Sequence, residues 1–265
     1  MRRFAISVSG LACAILLGVC FAMAPLHAQA PDGAPQTKVA DARPGDVRVI
    51  SSNGIRGVLE AARPKAEKAI GHPLLIQYGA SKDLKATIES GQAFEVTIVT
   101  PEVLDQIISE GKVVAGSRVD LAKVPAAIAQ RGEAPKHDIS TREALKKTLL
   151  GAKSIRFTPQ GASYAAAVKM VNGLGIADAI KPMLNLPPDV KLGPGEYELS
   201  ISLASEVLQL KDQKDLGPIL PQFNVPIVMS AGVGAAGDQK VAKALIQFLK
   251  QPSLDPVLKQ NAMER

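Results

Sequence analysis

Val47-Arg48-Val49-Ile50, running into Ser51-Ser52-Asn53-Gly54, is the stretch that decides the fold. A short β-prone run ends in a small, hydroxyl-bearing turn, and Ile55, Val58, Leu59 and Ala62 then recur at helical spacing. A strand that turns directly into a helix is the unit of a sheet covered by helices. The unit repeats downstream. Leu74 to Tyr78 reads as a strand, Gly79-Ala80-Ser81 as its turn, and Leu84 and Ile88 mark a helix that Gly91 stops. Val96 to Val99 is largely apolar, as expected of a strand covered on both faces. Thr100-Pro101 then caps a helix carrying Val103, Leu104, Ile107 and Ile108. Pro64 is expected to kink or restart the first helix.

A second unit begins near Pro135. Ser140 and Glu143 have capping-box spacing ahead of a helix over Ala144 to Leu150. Ser154 to Thr158 is a strand, Pro159-Gln160-Gly161-Ala162-Ser163 a turn, and Tyr164, Val168 and Val171 one face of a helix. Tyr197 to Ser202 and Ile227 to Met229 read as strands, and two amphipathic helices close the chain. The expected fold is α/β in two lobes, each a mainly parallel sheet flanked by helices. Residues 46–130 and 224–265 make one lobe and 131–223 the other.

The amino terminus sets the compartment. Arg2 and Arg3 precede an apolar run from Phe4 to about Met23, and Ala28-Gln29-Ala30 offers small residues to a signal peptidase. Residues 1–30 are read as a secretory signal cleaved after Ala30, and 31–45 as a flexible leader rich in Pro, Gly and Ala. Leu17-Gly18-Val19-Cys20 is a poor lipoprotein site, because valine stands where a small residue is usual. Cys13 and Cys20 both fall in the signal, so the exported chain would have no cysteine for disulfides, thiolate catalysis or metal binding. The 265 residues are 46% hydrophobic, 21% charged and 3% aromatic, with no tryptophan. That is globular, and it lacks the stacking platforms that single-stranded nucleic acid requires. The net charge of +6 forms no concentrated basic stripe, so nucleic acid is not an expected partner.

The chemistry is concentrated in three strand-to-helix turns: Ser51-Ser52-Asn53-Gly54, Gly79-Ala80-Ser81 and Gly161-Ala162-Ser163. Each brings free amides and the positive end of a helix to one point, where an anion is stabilised by neutral donors. In open α/β sheets such turns lie at the carboxyl ends of strands, where ligands bind. Serine before a helix commonly does no more than cap it, so the argument rests on three such turns rather than one. Lys82 and Arg56 stand just inside the adjoining helices.

These blocks, with Tyr78-Gly79-Ala80-Ser81-Lys82-Asp83-Leu84, Phe94-Glu95-Val96-Thr97-Ile98, Thr158 to Tyr164 and Gly195 to Leu208, resemble the periplasmic molybdate-binding proteins of ABC transporters. The resemblance implies a hinged type II solute-binding protein that closes on an oxyanion and delivers it to a permease in the inner membrane. It implies no cofactor, a monomer, and a site that holds molybdate through hydroxyls and amides with no direct metal ligand. Carried over by position, the oxyanion would meet Ser81 and Ala162, with Ser52 beside the first-turn position, which is Gly54. The family's tyrosine falls on Leu203, and the loop Asp189 to Pro194 is shortened. With two side-chain donors displaced, another oxyanion or a small organic carboxylate is the alternative ligand, and a signalling sensor the alternative use of the fold. The candidate site is Ser51, Ser52, Asn53, Gly54, Ser81, Gly161, Ala162 and Ser163.

Other motifs carry less. Gly232-Val233-Gly234-Ala235-Ala236-Gly237 matches G-x-G-x-x-G, but the residues after it read as helix, without the acidic-tipped strand of a dinucleotide site. His72 and His137 have no partner at metal-ligand spacing. Ser140 near His137 is the weak case for a secreted α/β hydrolase, and no G-x-S-x-G elbow supports it. The chain is expected to bind and release its ligand rather than transform it.

Overall fold

The computed structural model describes residues 38–187 and 190–265. The signal segment with Cys13 and Cys20, the first part of the leader, and Asp189 lie outside the described residues. In chain order the elements are β1 Val47–Ser52, α1 Arg56–Ile70, β2 Leu74–Gly79, α2 Ser81–Glu89, β3 Val96–Val99, α3 Pro101–Ser109, β4 Val119–Val124 and β5 Ala126–Arg131. Beyond them come α4 Arg142–Gly151, β6 Ser154–Arg156, α5 Tyr164–Gly173, α6 Ala177–Ile180, β7 Glu198–Leu203, α7 Ala204–Val207, β8 Lys214–Pro218, β9 Ile227–Val233, α8 Gln239–Leu249 and α9 Asp255–Gln260.

Two sheets result, ordered β2-β1-β3-β9-β4 and β6-β7-β5-β8. Their pairing is mixed rather than mainly parallel. β1 runs parallel to β2 and β3, but β9 is antiparallel to β3 and β4. In the second sheet only β6 and β7 are parallel, and β5 is antiparallel to both β7 and β8. The cause is the double crossing between lobes. The chain leaves the first sheet upward through β4 and re-enters it downward through β9, so those neighbours must oppose each other. The first crossing falls at Pro125, between β4 and β5, rather than near Gln130. Sequence reading passes over β4, β5 and β8, because Val119 to Arg131 mixes Asp, Lys, Pro and Gln into short alanine-rich runs.

The ends of β1, β2, β3 and β4 therefore share one edge of the first sheet with the start of β9, and this edge faces the crossing. One apolar cluster covers a face of this sheet with Val49, Ile76, Val58 and Leu245, and continues across the crossing to Ala127, Ala129, Leu203 and Val207. The opposite face is closed by Ile50, Leu84, Val99 and Leu104. Val39 joins that second face at 1% exposure, and its amide donates to Gln77 Oε1 at 3.0 Å. Packed structure thus reaches into the expected leader, because an apolar side chain there finds a core to enter. The second lobe buries Ile128, Ile155 and Leu199 beneath α4 and α5.

Three local expectations change. Helix α1 runs through Pro64, which lies on its solvent face, where the carbonyl that proline leaves unbonded can reach water. Thr141, not Ser140, caps α4 by accepting from the Ala144 amide at 3.1 Å, while the Ser140 amide donates to Asp138. Gly232 sits inside β9, so the glycine run is strand and close approach rather than a phosphate loop.

Two buried carboxylates make the fold acid-sensitive. Burial alone would push the Glu198 carboxyl up, but Arg156 and Arg131 bonded to it hold it below its ordinary range. Arg48 outweighs burial at Glu95 in the same way. A depressed folded-state value means stability that is fully present above the unfolded value, and lost as pH falls through the folded one. Calorimetric midpoints are therefore expected to fall as pH drops below about 4.5, and Glu198→Gln to flatten that decline. An equally steep acid limb in the variant would remove Glu198 from the effect.

Candidate functional site

The first turn passes from β1 through a 3-10 turn, Asn53–Ile55, into α1. The second passes from β2 through Ala80 into α2. Ser52 pairs with Gly79 in the parallel ladder, so register alone sets these two turns side by side. The third lies between β6 and α5 in the other lobe. Lys82 Nζ, from the first turn of α2, donates to the Pro159 carbonyl at 2.8 Å and ties the second turn to the third. Ala162 packs against the apolar cluster that spans both lobes. Register thus sets the first two turns side by side, and one lysine bond links the second to the third across the crossing.

Their hydroxyls divide into two kinds. Ser52 Oγ accepts from the Gly54 amide at 3.2 Å, and Ser81 Oγ accepts from the Thr100 amide at 3.3 Å. Each keeps its own O–H to give to a ligand. Ser51 instead donates to the Ser52 carbonyl and Ser163 to the Ile201 carbonyl, so their protons are used within the fold. The amides of Ala162 and Ser163 find no acceptor among the described residues. Gly161 closes the turn with its amide on the Thr158 carbonyl, where a Cβ would stand 3.1 Å from Thr158 Oγ1. Asn53 is half-buried, and its carbonyl accepts from the Arg56 amide. Two cations flank the cleft: Lys82, and Arg56, which lies over the Tyr78 ring at 5.1 Å. The amides of Val190 and Gly193, in the shortened loop, are spent on Pro187 and Glu196.

Gly54 and Leu203 prove to be partners. A Cβ on Gly54 would lie 2.4 Å from Leu203 Cδ1 and 2.9 Å from Met229 Cε. Leu203 fills that space at 1% exposure, and Ser205 Oγ donates to the Gly54 carbonyl at 2.6 Å. The contact is apolar and needs glycine on one side. Next to it, burial pushes the Glu206 carboxyl up, against hydrogen bonds from Ser202 and the Leu203 amide. Met229 and Ser205 escape sequence reading, since a methionine in a strand and a serine in a short helix carry no local signal.

Ser81→Ala removes a donor without disturbing packing. Ligand affinity is expected to fall by about 1.5–3 kcal/mol, the worth of a hydrogen bond to a charged group, and the unliganded midpoint to fall as well, because the buried Thr100 amide loses its acceptor. Unchanged affinity in a calorimetric titration would take Ser81 out of the site.

No group of three or more His, Cys, Asp and Glu side chains placed to hold a metal occurs among the described residues. His72 Nδ1 lies 3.1 Å from the Gly45 carbonyl. His137 lies 2.9 Å from Gln130 Oε1 and stacks on Tyr197. None of the described helices is long and apolar enough to cross a membrane.

Two α/β lobes joined by a double crossing give the chain the type II fold of a solved periplasmic binding protein. The chain belongs to the family of bacterial extracellular solute-binding proteins, whose pattern matches residues 47–264. It is 28% identical over 233 residues to the molybdate-binding protein ModA of Azotobacter vinelandii, covering 82% of this chain and 89% of that protein. It is 26% identical over 212 residues to an aconitate isomerase of a Pseudomonas species, covering 76% and 80%. Among solved structures, the periplasmic molybdate-binding protein of Azotobacter vinelandii matches with a TM-score of 0.66 at 18% identity, over 83% of this chain and 99% of that one.

Proposed function

We propose that this protein is the exported receptor of an ABC transporter, and that it carries a small oxyanion, dehydrated between its lobes, to a permease in the inner membrane. The observation that supports the reading is the Lys82 to Pro159 bond, which links the second and third turns from opposite lobes. Ser52 and Ser81 offer hydroxyl protons, Ala162 and Ser163 offer amides, and the helix ends add positive potential without a buried cation. The protein works in this reading as a monomeric receptor and not as a catalyst. Among the described residues, the ring of His137, the histidine beside Ser140, is bonded to Gln130 and packed on Tyr197 rather than bonded to the serine.

A second reading, a small organic carboxylate as ligand, is favoured by the two flanking cations, Lys82 and Arg56. One experiment separates the two. The purified protein is heated with molybdate, tungstate, sulfate, phosphate, or small di- and tricarboxylates including aconitate. A ligand at about 100 times its Kd adds about 2.7 kcal/mol and raises the midpoint. A rise with the tetrahedral oxyanions alone supports the first reading, and a rise with carboxylates alone the second. No rise with any anion would overturn both.

A further inference from the structure

Along the crossing edge of the first sheet the order is β2, β1, β3, β9, β4. The candidate site stands over β2 and β1. The two crossings leave from the end of β4, at Pro125, and return to the start of β9, at Pro226. Beyond them, on the side away from the candidate site, a second cleft of about 990 Å³ opens between the lobes. Lys123, Lys259 and Met263 wall it from the first lobe, and Lys136, Ile139 and Ile219 from the second, with Pro125 and Pro226 between.

Two properties give this cleft a use. Because the crossings form the axis between the clefts, a rotation that narrows one widens the other. The structure shows the corresponding pairing: contacts across the candidate site through Lys82 and Ser205, and an open cleft behind the hinge. The second property is chemical. The floor is apolar, with Val124, Leu216, Ile219 and Leu220, and the rim carries three exposed lysines against the carboxylates of Asp138 and Glu264. The volume lies at the upper end of small-molecule sites, which run to about 1,000 Å³.

We propose that the cleft behind the hinge is a second ligand site, that it takes an amphipathic organic anion with an apolar body and one acidic head, and that its occupant holds the lobes closed. The inference does not depend on which anion the candidate site carries. An occupant that fits only the widened cleft favours the closed arrangement by its differential affinity, and so tightens binding at the other site.

The probe is 8-anilinonaphthalene-1-sulfonate, an amphipathic anion whose emission rises in apolar surroundings. The native protein is expected to bind it saturably at one site. Lys136→Glu with Lys259→Glu, both surface positions, should weaken that binding about 10-fold while leaving the thermal midpoint unchanged. With probe bound and no other anion present, hydrogen exchange at residues 79–83 and 159–164, on the far side of the hinge, should slow. Absence of saturable binding, or equal binding by the lysine variant, overturns the site. Binding without slowed exchange overturns its control of closure. None of these outcomes depends on the anion panel, so the receptor reading and this one can fail separately.

Discussion

Gly234→Ala is expected to be strongly destabilising. A Cβ at this position would lie 2.2 Å from the Phe94 carbonyl oxygen and 3.1 Å from its carbon, and both are backbone atoms. Neither side can retreat. The Gly234 amide donates to the Glu95 carbonyl at 2.8 Å, and the next amide, Ala235, donates to Lys112. Glu95 is in turn held by Arg48, so moving the Phe94–Glu95 segment strains a buried ion pair as well. Overpacking usually costs about 1–3 kcal/mol, and a collision with fixed backbone belongs at or above the top, about 3 kcal/mol. For a chain of this size that lowers the midpoint by about 6–12 °C. A midpoint within about 1 °C of the parent would show that the Phe94 carbonyl is free to move, and that the glycine is not required by contact.

Gly54→Ser is expected to act on ligand capture more than on folding. The backbone at Gly54 is not in the left-handed region, so serine is conformationally permitted there. The obstacle is Leu203 from the second lobe and Met229 from β9, both packed without exposure to spare. The Leu203 contact is made across the lobes, so its cost falls on the closed arrangement. A penalty of about 1–3 kcal/mol on that arrangement alone lowers ligand affinity about 5- to 150-fold, as any bias between two states does. Shortening the partner should restore it, so the double change Gly54→Ser with Leu203→Ala should bind more tightly than Gly54→Ser alone. Isothermal titration with whichever anion raised the midpoint measures both. Full affinity in the single variant would mean that Leu203 and Gly54 do not need to meet when ligand is held.

Most of what places the candidate site was legible in one dimension. β1 through α3 alternate with clear period and punctuation, and each strand ends in a turn of small residues, so the three turns were named from residue type alone. The strands at the crossing were not legible. Ala126 to Arg131 carries no alternating pattern because alanines there are covered on both faces by different lobes. Nothing local marks Lys82 as a lysine whose acceptor is 77 residues away. Ser51 and Ser52 are indistinguishable in sequence, yet one spends its proton inside the fold and the other keeps it.

By itself, then, the sequence determined the fold class, the order of the strand–turn–helix units and the anion-suited chemistry of their turns, because those depend on periodicity, capping and φ preferences over a few residues. Only the tertiary structure decided which strands oppose one another, where the chain crosses between lobes, and which hydroxyls are free. It also decided that Gly54 and Leu203 answer each other across the cleft. These depend on contacts between residues far apart in sequence, and no local preference encodes the shape that a distant side chain must fit.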